Sequence, residues 1–158
     1  MHGLLRWMYR GHRPNRVAQF LNRQSFAFQS SRLAPKYLAG LEVIGRKSGR
    51  IVSLPVVIAS VAGRRYLVSM LGNDAQWVHN VRAANGRAWL RHGGRVAVRL
   101  VEVPVAQRAP ILKEYLRCAP GARPHMRVNK DAPLAEFAAV AAEYPAFEIV
   151  PDTPAETA

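Results

Sequence analysis

The sequence predicts an α+β, mainly β domain: a small barrel of about six short, mostly antiparallel strands with flanking helices. Three observations carry this. Short apolar runs bounded by Gly, Pro and Asn recur between residues 37 and 103, the pattern of strands separated by tight turns. No helix-length segment lies between the first three runs, so their connections are antiparallel rather than βαβ crossovers. A chain of 158 residues, 49% hydrophobic and 21% charged, fits one domain with a buried core and excludes wholesale disorder. Six such strands suit a barrel whose ends are filled by helices.

The elements follow in order. Residues 1–34 read as helical, with Leu4, Leu5, Trp7, Met8, Val17, Phe20, Leu21 and Phe28 at roughly helical spacing. Gly11 and Pro14 divide the segment. It holds Arg6, Arg10, Arg13, Arg16, Arg23 and Arg32 and no acid, so it is either a basic amphipathic helix that lies on anionic lipid or a helix packed on the domain. The barrel domain spans 35–151, and 152–158 is a disordered tail. Tyr37–Ile44 is the first strand, Gly45–Gly49 a turn, Ile51–Ala59 the second strand, Ala62-Gly63 a turn, and Arg65–Met70 the third strand. Pro55 places the second strand at an edge or a bulge. Asp74–Ala84 reads as a helix capped by Asn73 or Asp74. Strands Ala88–Arg91 and Arg95–Val103 join at Gly93-Gly94, a hairpin signal. Val105–Cys118 reads as a helix with Pro110 near its start, Pro120–Lys130 as a loop, Pro133–Glu143 as an Ala-rich helix, and Phe147–Val150 as a closing strand.

Composition narrows the function. No apolar run approaches the ~18–20 residues of a spanning helix, and the start MHGLLRWMYRGHRPNR lacks a signal peptide's apolar stretch and cleavage site. A cytoplasmic protein is expected, peripheral at most on the inner face of the plasma membrane. Cys118 is the single cysteine, so no internal disulfide or thiolate metal cage forms, and the residue reads as a bystander. Net charge is +13, unevenly spread. Residues 1–100 hold 17 Lys/Arg and two acids, and residues 101–158 hold 6 and 8. The first part is therefore at +15 and the last at −2, which points to an anionic partner for the first part. RNA-binding signatures are absent, so nucleic acid is not expected.

Two constellations carry chemistry. In Gly45-Arg46-Lys47-Ser48-Gly49-Arg50 two glycines let backbone approach a ligand, with cations and a hydroxyl between and after them. Such a concavity suits phosphate or carboxylate, and a solvated hairpin turn is the plainer alternative. The stretch grazes a P-loop, but LEVI before it and IVSLPVV after it are strands, and the motif requires a helix after the turn. In Trp77-Val-His79-Asn80-Val-Arg82, Trp77 and Asn80 share a helix face. They either stack on and hydrogen-bond a planar ring or serve as a core Trp and a capping Asn. His2, His12, His79, His92 and His125 lack metal spacing, so no metal is expected. Ser48, Ser53, Ser60 and Ser69 lack a nucleophile-elbow context. Any catalysis then falls to a cofactor that the chain positions.

The run from Leu41 to Arg95, with GRKSG, a strand containing Pro, a strand ending near a Ser, and WVHNVRA, resembles the deazaflavin-dependent nitroreductase family. That resemblance implies a split, flavin-mononucleotide-binding-like β-barrel and an oxidoreductase using reduced coenzyme F-420, an 8-hydroxy-5-deazaflavin, to reduce a quinone-like or nitroaromatic acceptor. The Arg-rich composition also fits the actinobacteria, where this coenzyme is common. By resemblance, Arg46, Lys47, Ser48 and Gly49 hold the phosphate and tail, Pro55, Val56 and Val57 line the ring by backbone, Ser69 is the catalytic side chain beside it with Met70 next to it, and Trp77 and Asn80 close the pocket. Arg50 joins the set on charge alone. Three departures stand out. The family's Gln-Pro-Arg after the turn is here Arg50-Ile51-Val52. Its Ser-Lys-Gly-Gly is Ser69-Met70-Leu71-Gly72, which loses a cation. Its substrate-covering tyrosines have only Tyr115 and Tyr144 as stand-ins. Two other functions suit the same barrel: a non-catalytic lipid or fatty-acid carrier, or an enzyme using flavin mononucleotide (FMN) or haem. A homodimer is compatible with all of them.

Overall fold

A computed structural model describes residues 35–152; the expectations for residues 1–34 and for the tail beyond 152 lie outside the described residues. Seven strands form one antiparallel sheet: β1 (Leu38–Ile44), β2 (Ile51–Val57), β3 (Ala59–Val61), β4 (Arg64–Val68), β5 (Arg87–Arg91), β6 (Arg95–Glu102) and β7 (Ala146–Pro151). Their order is β2-β1-β5-β6-β7-β4-β3. β2 and β3 are therefore the two outer strands, yet only Ile58 separates them in sequence. A flat sheet cannot bring its opposite edges one residue apart. Strand twist curls it into a barrel, left split where β2 and β3 diverge without pairing.

Ile58 is the pivot. Its side chain is buried in the barrel interior and its N–H donates to Tyr37 O at 2.7 Å. The run expected as one strand, Ile51–Ala59, thus divides: residues before Ile58 pair with β1 and residues after it with β4. Seven strands result in place of about six, and the first three runs do not form a simple meander. Pro55 stands opposite Gly40 in the outer strand β2, at an edge as its missing donor requires. The turns at 62–63 and 93–94 join β3 to β4 and β5 to β6.

Three helices complete the domain: α1 (Gln76–Ala83), α2 (Ala109–Cys118) and α3 (Leu134–Val140). Val78 and Val81 of α1 enter the barrel interior among Leu41, Val43, Leu67, Leu100 and Phe147. A second core lies on the outer side, where Ile111, Leu112, Tyr115 and Leu116 of α2 and Phe137 of α3 cover Tyr66 and Val68. Helix α1 starts later than expected. Its N-cap is Ala75, with no side-chain cap, because Asn73 instead donates to Ala142 O at 3.0 Å and accepts from Arg82 at 3.1 Å. Val105–Cys118 is also two pieces, a 3-10 turn over Val105–Gln107 and then α2 with Pro110 in its first turn, where the missing N–H has no helical partner to lose. The expected loop contains a 3-10 turn, Pro120–His125, and the Ala-rich helix ends in another, Ala141–Glu143. The last strand is not peripheral: β7 lies between β6 and β4. Among the described residues no helix is long and apolar enough to cross a membrane.

Candidate functional site

The glycine turn is held by helix α1. Gly45 N–H donates to Arg50 O at 2.7 Å, and Gly49 N–H to Gly45 O at 2.8 Å. Gly49 has φ +72°, the left-handed region that favours glycine. Asn80, buried on α1, accepts from Arg46 N at 3.0 Å and from Arg46 Nη1 at 2.9 Å. Arg46 Nη2 donates to Gln76 Oε1 at 3.0 Å. Arg46 therefore anchors the turn to the helix rather than offering its guanidinium outward, and Gln76 is a partner the sequence does not reveal. Of the two readings for Asn80, the structure supplies a structural one: it clamps the turn, 34 residues away in sequence.

The tip of the turn is the opposite. Lys47, Ser48 and Arg50 are exposed. Among the described residues the N–H groups of Lys47 and Ser48 have no acceptor, and the side chains of Lys47 and Arg50 have no hydrogen-bond or ion-pair partner. Ser48 Oγ accepts from Arg50 N at 3.1 Å. Two adjacent N–H groups without acceptors thus stand beside two cations without partners among the described residues, the kind of donor set that suits an oxyanion.

Strand β2 continues from this tip. The bonds Gly45 N to Arg50 O and Ile58 N to Tyr37 O fix the phase of the β1–β2 ladder. Hydrogen-bonded pairs alternate with non-bonded ones in antiparallel strands. Ile51, Ser53, Pro55 and Val57 therefore turn their backbone groups away from β1, toward the open edge. Pro55 presents a carbonyl there and no donor, and Val57 presents both an N–H and a carbonyl.

The remaining expected residues are placed differently from one another. Ser69 is fully buried. Its hydroxyl donates to Gly72 O at 2.7 Å and its N–H to Pro145 O at 2.9 Å, so it closes a turn after β4 and does not present a free donor. Met70 is half-buried against the outer core, and Leu71 packs toward the barrel interior. Trp77 is half-buried and packs on Phe147, with ring centroids 5.5 Å apart. It joins the core while Asn80 faces the turn, so the two do not form one ring-binding face. The tyrosines proposed as stand-ins are both core residues: Tyr115 is buried, and Tyr144, buried too, accepts from Arg127 N at 2.9 Å.

Behind α1 lies a network that the sequence does not signal. Glu102 accepts from Arg82 Nε and Nη2 at 2.9 and 2.8 Å and from Arg108 at 3.1 Å. The hydrogen bond from Arg82 holds the Glu102 carboxyl below its ordinary range, against the opposing effect of burial. Buried Arg108 also donates to Val103 O and Ala141 O at 2.8 and 3.0 Å. With Asn73 bridging Arg82 to Ala142 O, these residues tie α1 to β6 and to the turn before β7. Burial pushes the Cys118 thiol up, as does nearby Glu114. Among the described residues no cluster of His, Cys, Asp and Glu could hold a metal ion. Two cavities, of about 580 and 540 Å3, lie elsewhere: one between β3 and α2, the other at the β1 start and the β5–β6 turn.

A family model for F420H2-dependent quinone reductase matches residues 16–140, a span that contains the glycine turn, β2 and α1. The chain belongs to the F420H2-dependent quinone reductase family. No curated protein sequence matches it significantly. Among solved structures, one described as a domain-swapped dimer is similar at 17% identity and TM-score 0.52, over 84% of this chain and 96% of that one. A protein of unknown function from Agrobacterium tumefaciens is similar at 10% identity and TM-score 0.55, over 82% of this chain and 55% of that one. A further structure, titled an F420-H2 dependent reductase, has 16% identity and TM-score 0.49, over 72% of this chain and 94% of that one. At these identities the first two structures show a likeness of fold alone, and the strand order of this family member is that of a split barrel.

Proposed function

We propose that this chain binds reduced coenzyme F-420 along the Gly45–Gly49 turn and the open edge of β2, and that the hydride passes to a quinone-like acceptor, with nitroaromatics as incidental substrates. The turn tip carries the placement: unpaired N–H groups at Lys47 and Ser48 beside the free cations of Lys47 and Arg50. The coenzyme is an anion, with a phosphodiester and a γ-glutamyl tail on a planar tricycle, and the donor set fits its phosphate. When bound, the reduced coenzyme supplies the hydride. The chain supplies position and water exclusion.

Asn80 and Gln76 fix Arg46 and so the turn, and Gly49 gives the backbone its close approach. The outward backbone groups of Pro55 and Val57, with the Val56 side of the strand between them, run beside the ring. Leu71, placed by the Ser69–Gly72 turn, and Trp77 lend the barrel-side apolar surface, and Met70 packs on the outer core. Ser69 acts on this reading as a positioning residue, because its hydroxyl reaches the coenzyme only by releasing Gly72 O. Contact of the basic residues 1–34 with an anionic membrane, and a homodimer, belong to the same reading.

Fluorescence titration of oxidised coenzyme F-420 tests it, with FMN as the control. Saturable binding is expected, weakened about tenfold or more by Lys47→Ala, since a hydrogen bond to a charged group contributes ~1.5–3 kcal/mol. Equal affinity in Lys47→Ala overturns the placement, and binding of FMN alone reassigns the cofactor. Oxidation of the reduced coenzyme by menadione then tests the acceptor.

A further inference from the structure

We infer that the chain carries a second ligand site, at the barrel mouth opposite the glycine turn, for an amphipathic monoanion: an apolar body bearing one anionic head. The inference goes beyond the coenzyme reading and does not depend on it. Helix α1 plugs the barrel at the Ile44 end of β1, where Asn80 and Gln76 hold the turn. The Leu38 end has no helix in it among the described residues. There, a cavity of about 540 Å3 opens into the barrel between β1, β3, β4, β5 and β6, in the size range of small-molecule sites.

Its floor and rim differ in chemistry. Ile58, Leu90 and Val98 form an apolar floor that is part of the barrel interior. Lys36, Arg65 and His92 stand at the rim, and among the described residues no carboxylate lines the cavity. Among the described residues the side chains of Lys36 and Arg65 make no hydrogen bond or ion pair, whereas His92 Nδ1 lies 3.1 Å from Leu38 O. This sets the site apart from the cavity between β3 and α2. There Arg117 pairs with Glu114, Lys130 with Asp131, and Lys113 and Arg123 donate to the carbonyls of Ala132 and Leu116. Two free cations above an apolar hollow are complementary to an anionic head on an apolar body. Residues 1–34 hold six Arg and no Asp or Glu, so their side chains supply no such anionic head.

The test uses the full chain and 1-anilinonaphthalene-8-sulfonate, an apolar ring system with one anionic head. One saturable equivalent is expected to bind with a rise in fluorescence. Decanoate should displace it, and decan-1-ol at least tenfold less effectively. Arg65→Glu and Lys36→Glu, both at exposed and unpartnered positions, should each weaken the probe about tenfold with unchanged thermal midpoint and unchanged coenzyme F-420 titration. Lys47→Ala should leave the probe's affinity as it is. Absence of saturable binding, insensitivity to both charge reversals, or equal displacement by the alcohol overturns the inference. Displacement of the probe by coenzyme F-420 also overturns it, by merging the cavity with the coenzyme site. Failure of F-420 to bind at all leaves the probe result standing and counts only against the coenzyme reading.

Discussion

Asn80 is the residue on which the candidate site's geometry hangs, and replacing it by Ala has a calculable cost. Its Oδ1 accepts from a neutral amide at 3.0 Å and from a guanidinium at 2.9 Å. Net contributions are about 0.5–1.5 kcal/mol for the first kind and 1.5–3 for the second. Arg46 is exposed, so water recovers part of both once Asn80 is gone, leaving about 2 kcal/mol. For a domain of this size that lowers the thermal midpoint by about 4–8 °C. Coenzyme affinity should fall as well, by roughly tenfold, because the turn would then have to be ordered on binding. Asn80→Asp separates the two effects. It keeps the acceptor and adds an ion pair to Arg46, so it should lose less stability than Ala. It also places a negative charge behind an anion site, so affinity should fall at least as far. Calorimetry and F-420 fluorescence on Asn80→Ala, Arg46→Ala and the double variant complete the cycle. If the two single changes add to within about 0.5 kcal/mol, the clamp does not exist as described.

Three further outcomes are expected. Gly86 has φ +84°, and a Cβ there would lie 2.4 Å from Leu100 O; Gly86→Ala should cost about 2–4 kcal/mol, whereas Gly49→Ala, with φ +72° and open space around it, should cost about 1 kcal/mol, as denaturant midpoints will show. Arg82 holds the Glu102 carboxyl below its ordinary value, so the stabilisation is present in full above the ordinary carboxylate value and fades as pH falls through the lowered one. The stability difference between the wild type and Glu102→Gln should therefore shrink in acid, and persistence of the full difference at pH 3 would contradict the ion-pair assignment. Cys118, its thiol pushed up by burial, should react with a disulfide reagent at neutral pH more slowly than free cysteine does.

Local signals in the sequence were legible where the physics is local. The glycine turn, the edge position of Pro55 and the hairpin glycines depend on backbone geometry within a few residues. What was not legible depended on docking. Nothing in IVSLPVVIA marks Ile58 as a boundary, because the break comes from closing the sheet. Helical spacing put Trp77 and Asn80 on one face, but it says nothing of how α1 is rotated against the barrel. Once Val78 and Val81 fill the interior, Trp77 packs on Phe147 and Asn80 is left facing Arg46. Asn73, a plausible cap by type, was taken instead by Arg82 and Ala142 O. The rim of the mouth cavity comes from strand ends far apart in sequence, which no motif reveals.

The divided strand also explains why β2 has an outer edge with no described strand on it. A closed barrel has no edges, and an exposed edge invites pairing with another chain. Here the two outer strands are treated differently. β3 is only three residues long and packs against α2. β2 is seven residues long and faces no described strand beyond β1. Pro55 removes one outward donor from that edge, and the cationic turn sits at its start, so the edge is a poor template for another strand. What remains is a row of backbone groups ending in a cluster of positive charge, which on the proposed reading receives a flat ring carrying an anionic tail rather than a polypeptide. The same split that leaves the outer edge of β2 without a described strand partner thus supplies both halves of the candidate site, the backbone rail and the charged turn, from one continuous stretch of chain.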